Sequence, residues 1–166
     1  CTMSKLFVDD IVEKTSGHGV NIPGHVVHVS QAVTTASQVS SSQTSLVDIT
    51  GATLTITPKS TSNKILLMFD LGAYSNNGST FPIPYYAIVR GSTVIHQKSG
   101  FYLDARSSGT VFGQQLFRAC MSYLDSPSTT SATTYKLQYK SASGGSGHPT
   151  LGIEEGSTFT LMEIAQ

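Results

Sequence analysis

A period of two in the hydrophobic pattern runs along most of this chain of 166 residues and limits its possible folds. In KILLMFDLGAY the apolar residues at every second position are Ile65, Leu67, Phe69, Leu71 and Ala73. Side chains of a β-strand alternate between two faces, so this pattern predicts a strand with one buried face. TYKLQYK alternates in the same way, and TSLVDIT, TLTIT, IPYYAIVRG, STVIH, GTVFGQQLFRACMSYLD and STFTLMEIA have similar compositions.

Clusters of Gly, Asn, Ser and Pro, such as YSNNGSTFP and KSASGGSGHP, separate these segments. No segment shows the period of an amphipathic helix, which leaves no sequence for the crossovers of a parallel sheet. The chain is therefore predicted to be all-β, with an antiparallel β-sandwich of the jelly-roll kind. In KILLMFDLGAY, Leu66 and Met68 make the second face partly apolar as well. A strand that is apolar on both faces needs cover on both, which favours an oligomer.

Composition divides the chain into three parts. Residues 34–44 form a Ser/Thr/Gln-rich stretch with little to bury and are predicted to be a linker between an arm, residues 1–33, and a sandwich domain, residues 45–166. We expect the sandwich to fold without the arm. The arm is too short to bury a core alone, so its apolar residues predict attachment or trimerisation contacts. These residues are Leu6, Phe7, Val8, Ile11, Val12, Val20, Ile22, Val26, Val27 and Val29.

Charge and hydropathy exclude two classes of partner. Ten basic residues balance ten acidic ones, and no dense Lys/Arg cluster exists to bind phosphates, so nucleic acid is not an expected partner. No stretch approaches the roughly 18 uninterrupted apolar residues of a membrane span, so membrane insertion is not expected either. Cys120 lies in the apolar run LFRACMSYL and is predicted to be a small buried hydrophobic residue.

The stretch VEKTSGHGVNIPGHVV holds two of the five histidines, His18 and His25, and a third, His28, follows it directly. His25 and His28 are three residues apart, and an odd offset in a strand places side chains on opposite faces, which argues against chelation within one chain. His18 lies between two glycines, where a turn is expected. We predict no metal and no cofactor, although one histidine from each of several chains could still meet on a symmetry axis.

Catalytic motifs are equally scarce. The sequence has no G-x-S-x-G nucleophile elbow, no phosphate-binding loop and no dinucleotide fingerprint. Its two carboxylate pairs, Asp9 with Asp10 and Glu154 with Glu155, are adjacent in sequence, and the second pair lies in GIEEGS, where a turn is expected. We predict that the chain is not an enzyme, with no catalytic residues.

Several segments resemble those of fibre-type structural proteins of tailed bacteriophages: VEKTSGHGVNIPGHVV, ITPKSTSNKILLM, RGSTVI, DSPSTTSATTYKLQYKS and FTLMEI. In that family a variant of VEKTSGHGV joins a shaft or anchor to a distal β-sandwich, and the proteins are usually homotrimers. The order of the strands also resembles the trimeric jelly rolls of the tumour-necrosis-factor and complement-C1q kind. The resemblance implies a homotrimer on the surface of the virion, assembled in the host cytoplasm, whose arm contacts other tail or capsid proteins.

Three hypotheses for function follow from this resemblance. In the first, the chain is a short fibre, a tail fibre or a head fibre, that presents its sandwich to a host-surface polysaccharide or protein. In the second, the same trimer is a decoration protein that stabilises the capsid. In the third, it is a glycan-cleaving enzyme of the tailspike type, which would need paired acids in a groove.

Two loops between strand-like segments have the composition of a sugar-binding surface. Aromatic faces cover the apolar side of a sugar ring, and planar amide and hydroxyl groups satisfy its hydroxyls. YSNNGSTFPIPYY and SGFYLDARSSG supply both kinds of group, in positions where loops can vary without disturbing a core. The predicted host-contact residues are Tyr74, Asn76, Asn77, Phe81, Phe101, Tyr102, Asp104 and Arg106.

Overall fold

The computed structural model describes residues 22–34, 38–40, 45–76, 84–99, 115–141, 150–153 and 155–166. This part of the chain contains ten strands and no helix. A helix that could span a membrane is therefore absent from these described residues. The strands are β1 (Val26–Val33), β2 (Gln38–Ser40), β3 (Val47–Ile56), β4 (Lys64–Asn76), β5 (Pro84–Arg90), β6 (Thr93–Ser99), β7 (Gln115–Asp125), β8 (Thr133–Ser141), β9 (Thr150–Ile153) and β10 (Thr158–Ile164).

The first sheet has six strands and is built around β4. One edge of β4 pairs with β7 from Ile65 to Ser75. Its other edge pairs first with β10, from Lys64 to Asp70, and then with β9, from Ala73 to Asn76. β1 lies beyond β10, and β2 lies beyond β9. All of these pairings are antiparallel, as the absence of helical crossovers predicts.

The second sheet has four antiparallel strands in the order β3-β8-β5-β6. The hairpin between β5 and β6 turns at Gly91, whose φ of 59° is in the left-handed region that favours glycine. β3 contains a register irregularity between Asp48 and Thr53. Gly51 lies there with a φ of 83°, in the left-handed region that favours glycine, whereas a Cβ at this position would make only ordinary van der Waals contact, 3.5 Å from the Cα of Thr34.

The two sheets pack face to face around one hydrophobic core, which confirms the prediction of an all-β antiparallel sandwich. Phe69 of β4 contacts Tyr86 of β5 across the interior, with 5.9 Å between ring centroids. The buried core residues are Ile49, Ala52, Ile56, Ile65, Leu67, Phe69, Leu71, Ala73, Tyr86, Ile88, Ala119, Met121, Tyr135, Leu137, Tyr139, Phe159 and Leu161. The alternate residues of KILLMFDLGAY are thus all in the core, as the period of two predicts.

A polar cluster links the two sheets beside this core. The guanidinium Nη1 of Arg90, in β5, donates to both carboxylate oxygens of Asp125, in β7, at 2.9 and 2.8 Å. The hydroxyl of Tyr135, in β8, donates to the same carboxylate at 2.6 Å. Burial, together with the hydrogen bond to Asp125, raises the pKa of Tyr135. The cluster therefore joins three strands from two sheets through one buried carboxylate.

The last residues of the predicted arm are part of the sandwich. β1 pairs with β10 from Val26 to Val33, and Ala32 packs against the core. Thr34, the first residue of the predicted linker, is buried: its backbone N–H donates to the carbonyl oxygen of Ser157 at 2.8 Å, and its hydroxyl accepts from the backbone N–H of Ser157 at 3.0 Å. The sequence does not reveal this because the strand that pairs with β1 is β10, more than a hundred residues further along the chain. Residues 1–21 lie outside the described residues.

The prediction that Cys120 is buried is wrong. Its neighbours in β7, Ala119 and Met121, are buried against the core, so strand alternation places Cys120 on the opposite face, where it is exposed. The apolar run LFRACMSYL suggests burial at every position, but the strand has only one face in the core.

Candidate functional site

The outer face of the six-stranded sheet is the most distinctive surface among the described residues. Four strands contribute to it in the order β1-β10-β4-β7. Core residues alternate along these strands, and the residues between them point away from the core. We define the outer face by these outward residues: Val26, Val29, Gln31, Val33, Thr158, Thr160, Met162, Ile164, Lys64, Leu66, Met68, Asp70, Arg118, Cys120, Ser122 and Leu124.

An apolar row crosses all four strands of the outer face. Val29 pairs with Met162, Met162 with Leu66, and Leu66 with Leu124. Directly paired residues have Cβ atoms about 4.5 to 5.5 Å apart, so these four side chains form a continuous line. Val29 is 57% exposed and Leu124 is 46% exposed. The row therefore ends on both sides in a large apolar side chain that the sheet leaves about half exposed to solvent.

Neighbouring rows extend this apolar area. Val26, 49% exposed, pairs with Ile164 on one side of the row, and Met68 lies on the other side. We call Val26, Val29, Leu66, Met68, Leu124, Met162 and Ile164 the apolar patch. It includes Leu66 and Met68, the two residues whose outward position in β4 the sequence predicts.

Polar groups occupy the other half of the outer face. Arg118 donates from Nε to a carboxylate oxygen of Asp70 at 2.9 Å and from a second nitrogen to the other oxygen. These hydrogen bonds hold the pKa of Asp70 below its ordinary value. The thiol of Cys120 donates to the same carboxylate at 3.3 Å. A shallow groove of about 460 Å³ lies here, with Thr158 and Thr160 among its lining residues.

The outer face of the four-stranded sheet has the opposite character. Asp48 accepts hydrogen bonds from the ammonium of Lys136 and the amide of Gln138, which lower its pKa. The hydroxyls of Thr55 and Thr134 are 2.8 Å apart and share a hydrogen bond across the β3–β8 pair. Polar side chains with cross-strand partners suit a face that remains in water. This face also carries an apolar pair, Val89, which is buried, and Val94, which is 43% exposed. The two outer faces of the sandwich thus differ in that the described residues form a continuous apolar row only on the six-stranded sheet.

The predicted attachment residues fall into two groups. Val26 and Val29 lie on the outer face within the apolar patch, whereas Val27 lies at a register irregularity in β1 and is partly buried. Ile22, before β1, is 37% exposed. Leu6, Phe7, Val8, Ile11, Val12 and Val20 lie outside the described residues. The structure therefore brings two of the predicted residues onto one surface.

The predicted host-contact residues are described only in part. Tyr74 and Asn76 lie at the end of β4, where their backbones pair with Gly152 and Thr150 of β9. The remaining six residues, Asn77, Phe81, Phe101, Tyr102, Asp104 and Arg106, lie outside the described residues. The host-contact surface stays a prediction.

Sequence reasoning did not single out three members of the apolar patch, namely Leu124, Met162 and Ile164. A signal was present, because TFTLMEI has apolar residues at both odd and even positions, as KILLMFDLGAY does. Phe159 and Leu161 take the core positions, so Met162 and Ile164 are left on the outer face. The same test applied to MSYLD would have found Leu124.

Among the described residues, no group of three or more His, Cys, Asp or Glu side chains is arranged to hold a metal ion. His25 and His28 are both exposed, and the Nε2 of His28 is 2.7 Å from the hydroxyl of Ser30. Of the adjacent acid pair, Glu155 is exposed in a turn, and Glu154 lies outside the described residues.

No protein-family model and no curated protein matches this sequence. Among solved structures, dimeric latent PorU from Porphyromonas gingivalis matches 91% of this chain at 9% identity with a TM-score of 0.45, and this chain spans only 14% of it. A lipoprotein from Bacteroides thetaiotaomicron matches 94% of this chain and 100% of its own length at 12% identity, with a TM-score of 0.41. The VP2 subviral particle of infectious bursal disease virus matches 84% of this chain and 37% of its own chain at 13% identity, with a TM-score of 0.38. Likenesses this low support no argument about function.

Proposed function

We propose that this chain is a non-enzymatic structural protein of a tailed-phage virion. It forms a short homotrimeric fibre that attaches through its N-terminal arm and presents its sandwich to the host surface. The observation that supports an assembling protein is the contrast between the two outer faces. One carries exposed Val29 and Leu124 in a continuous apolar row, and the other carries paired polar groups. The sequence resemblance to phage fibre proteins supplies the type of assembly.

We infer a jelly-roll topology for the sandwich. Leaving aside the short strands β2 and β9, eight strands form two layers in the orders β1-β10-β4-β7 and β3-β8-β5-β6. The first and last strands, β1 and β10, are neighbours in one layer, and β3 and β8 are neighbours in the other. Eight antiparallel strands in two sheets with such long-range pairings are the pattern of a jelly roll. This supports the architecture of the trimeric jelly rolls that the strand order resembles.

Adhesion to a host surface is the function that the fibre would serve. The predicted contact loops would combine aromatic and amide groups, for example Tyr102 and Asn77, for binding to a polysaccharide or protein. The arm would join the fibre to other tail or capsid proteins. No chemical step is required of any residue in this account.

Adsorption of the purified protein to host cells tests the adhesive role. We expect Tyr102→Ala and Asn77→Ala each to reduce binding by about tenfold, because each loses a contact worth about 1 to 2 kcal/mol. Binding of fluorescently labelled protein to cells measures the effect, with Thr53→Ala, on the polar face of β3, as the control. Adsorption equal to wild type in both variants would contradict these contact loops and favour the capsid-decoration role. Release of reducing ends from host polysaccharide would contradict the non-enzymatic role.

A further inference from the structure

We infer that the apolar patch is the interface through which copies of this chain pack against one another. This inference rests on the proposed homotrimer and names the surface that forms it. The occupant is a second copy of the chain. In a trimer the contact is heterologous, so residues outside that copy's own apolar patch cover the row from Val29 to Leu124. The two ends of this row belong to β1 and β7, so the contact extends across the whole width of the four-strand layer.

The size of the surface fits a protein partner. Four strands about 4.8 Å apart and seven residues of about 3.3 Å each give a face of roughly 20 by 23 Å. Its flat area is on the order of 450 Å², to which the protruding side chains add further accessible surface. A small-molecule site is a cleft that buries most of its ligand, whereas the groove on this face is shallow and open. A stable interface buries about 800 Å² on each partner, so the face supplies a large part of one.

The charges of the face favour a copy of the same chain. Its ionic groups are Lys64, Asp70 and Arg118, and the last two neutralise each other in a bidentate pair. Two copies can therefore approach through the apolar patch without bringing many like charges together. A partner selected by charge would instead need a face with a strong excess of one sign. The neutral composition of the whole chain, ten basic and ten acidic residues, agrees with self-association.

The arrangement of the face matches that of an interface. Apolar groups occupy one half of the face, around the row through Met162 and Leu66, and polar groups border this half where Gln31 donates to the hydroxyl of Thr160 at 2.9 Å. Protein interfaces have an apolar centre with a hydrogen-bonding polar rim. Exposed apolar groups that are scattered singly need no explanation, but here they are aligned across four strands.

Single charges placed on the two outer faces test the assignment. Leu124→Glu and Val29→Glu each put a carboxylate on the apolar patch, at residues whose side chains are about half exposed in one chain. The fold should tolerate them, because substitutions at exposed positions change stability little. The control is Thr53→Glu, which adds the same charge to the other outer face, opposite Lys136 in the register. Light scattering at micromolar concentration gives the mass of each protein, and circular dichroism checks its β-structure.

We expect the wild type and Thr53→Glu to have the mass of three chains, and the two patch variants to have the mass of one. A trimer that survives both Leu124→Glu and Val29→Glu would overturn the interface and leave the proposed function intact. A monomeric wild type would overturn the homotrimer itself. A wild-type dimer that Leu124→Glu dissociates would support the patch as the interface but overturn the trimer, since a face that pairs with itself closes a twofold assembly. If Leu124→Glu loses its β-signal, Val29→Glu, on the opposite edge strand of the layer, decides.

Discussion

Deletion of residues 1–33 is expected to unfold the sandwich, contrary to the expectation from the sequence. The deletion removes β1, which pairs with β10 along seven residues, and uncovers the edge of the strand that holds Phe159 and Leu161 in the core. It also removes the chain that leads into Thr34, whose hydrogen bonds with Ser157 fix the start of β10. We expect a loss of more than about 4 kcal/mol, close to the whole stability of many domains.

Urea unfolding followed by circular dichroism measures this loss, and the matched control is deletion of residues 1–21. The shorter deletion leaves the whole of β1 and the segment before it, which begins at Ile22. Its unfolding midpoint should therefore remain close to that of the full chain. Equal midpoints for the full chain and the 1–33 deletion would show that β1 contributes nothing to the stability of the sheet.

Replacement of Asp125 by Ala is expected to have the second largest effect. The side chain of Asp125 is 7% exposed, and its carboxylate accepts from Arg90 and from the hydroxyl of Tyr135. Its loss leaves a guanidinium that is 32% exposed and a buried phenol without their acceptor. Removing one partner of a buried pair costs about 3 to 5 kcal/mol, and partial exposure of Arg90 favours the lower end, about 3 kcal/mol.

Asp48→Ala is the control for this substitution, because it removes a similar ion pair from the surface. The side chain of Asp48 is 54% exposed beside Lys136, and exposed pairs contribute about 0 to 1 kcal/mol. The loss in free energy of unfolding for Tyr135→Phe should fall between those of Asp125→Ala and Asp48→Ala. This is because Asp125 keeps its ion pair with Arg90 when only the hydroxyl of Tyr135 is removed. Free energies of unfolding from urea titrations rank the three variants. The same loss in Asp125→Ala and Asp48→Ala would contradict the structural role of the buried cluster.

The strands themselves could be predicted from sequence because burial on one face leaves a period of two. KILLMFDLGAY and TYKLQYK lie within β4 and β8, and their alternate residues are in the core as expected. The loops between them contain the Gly, Asn and Pro residues that turns require. Local pattern is thus enough to give the fold class, an antiparallel β-sandwich.

Long-range pairing explains what the sequence did not show. The Ser/Thr/Gln-rich stretch after β1 predicts a separate arm, and no local pattern shows that the partner of β1, β10, lies more than a hundred residues away in the sequence. The buried position of Glu163 was likewise not foreseen: its Oε1 accepts from the backbone N–H of Lys59 and from the amide of Asn63, both at 2.7 Å. Hydrogen-bond partners so distant in sequence leave no local pattern. A carboxylate at an inward-facing position of a strand is tolerated in the core only when donors such as these form hydrogen bonds to it.

The candidate surface was predictable only in its central strand. Leu66 and Met68 make the second face of β4 partly apolar in the sequence, and the structure places both on the outer face. The register between strands then decides which other residues join them, and it aligns Val29, Met162 and Leu124 with Leu66 in one row. Each of these residues alone is an ordinary exposed apolar residue. The row becomes visible only when the four strands are placed side by side.

The mass of the full-length wild-type protein in solution tests the central claim, that this sandwich works as an assembled structural protein. One chain has a mass of 17.6 kDa. Light scattering coupled to size-exclusion chromatography at micromolar concentration should give three times this mass, because assembly removes the apolar patch from water. The trimer should persist at high salt, since the apolar contact does not depend on unscreened charges. A mass of one chain across the accessible concentrations would contradict the account.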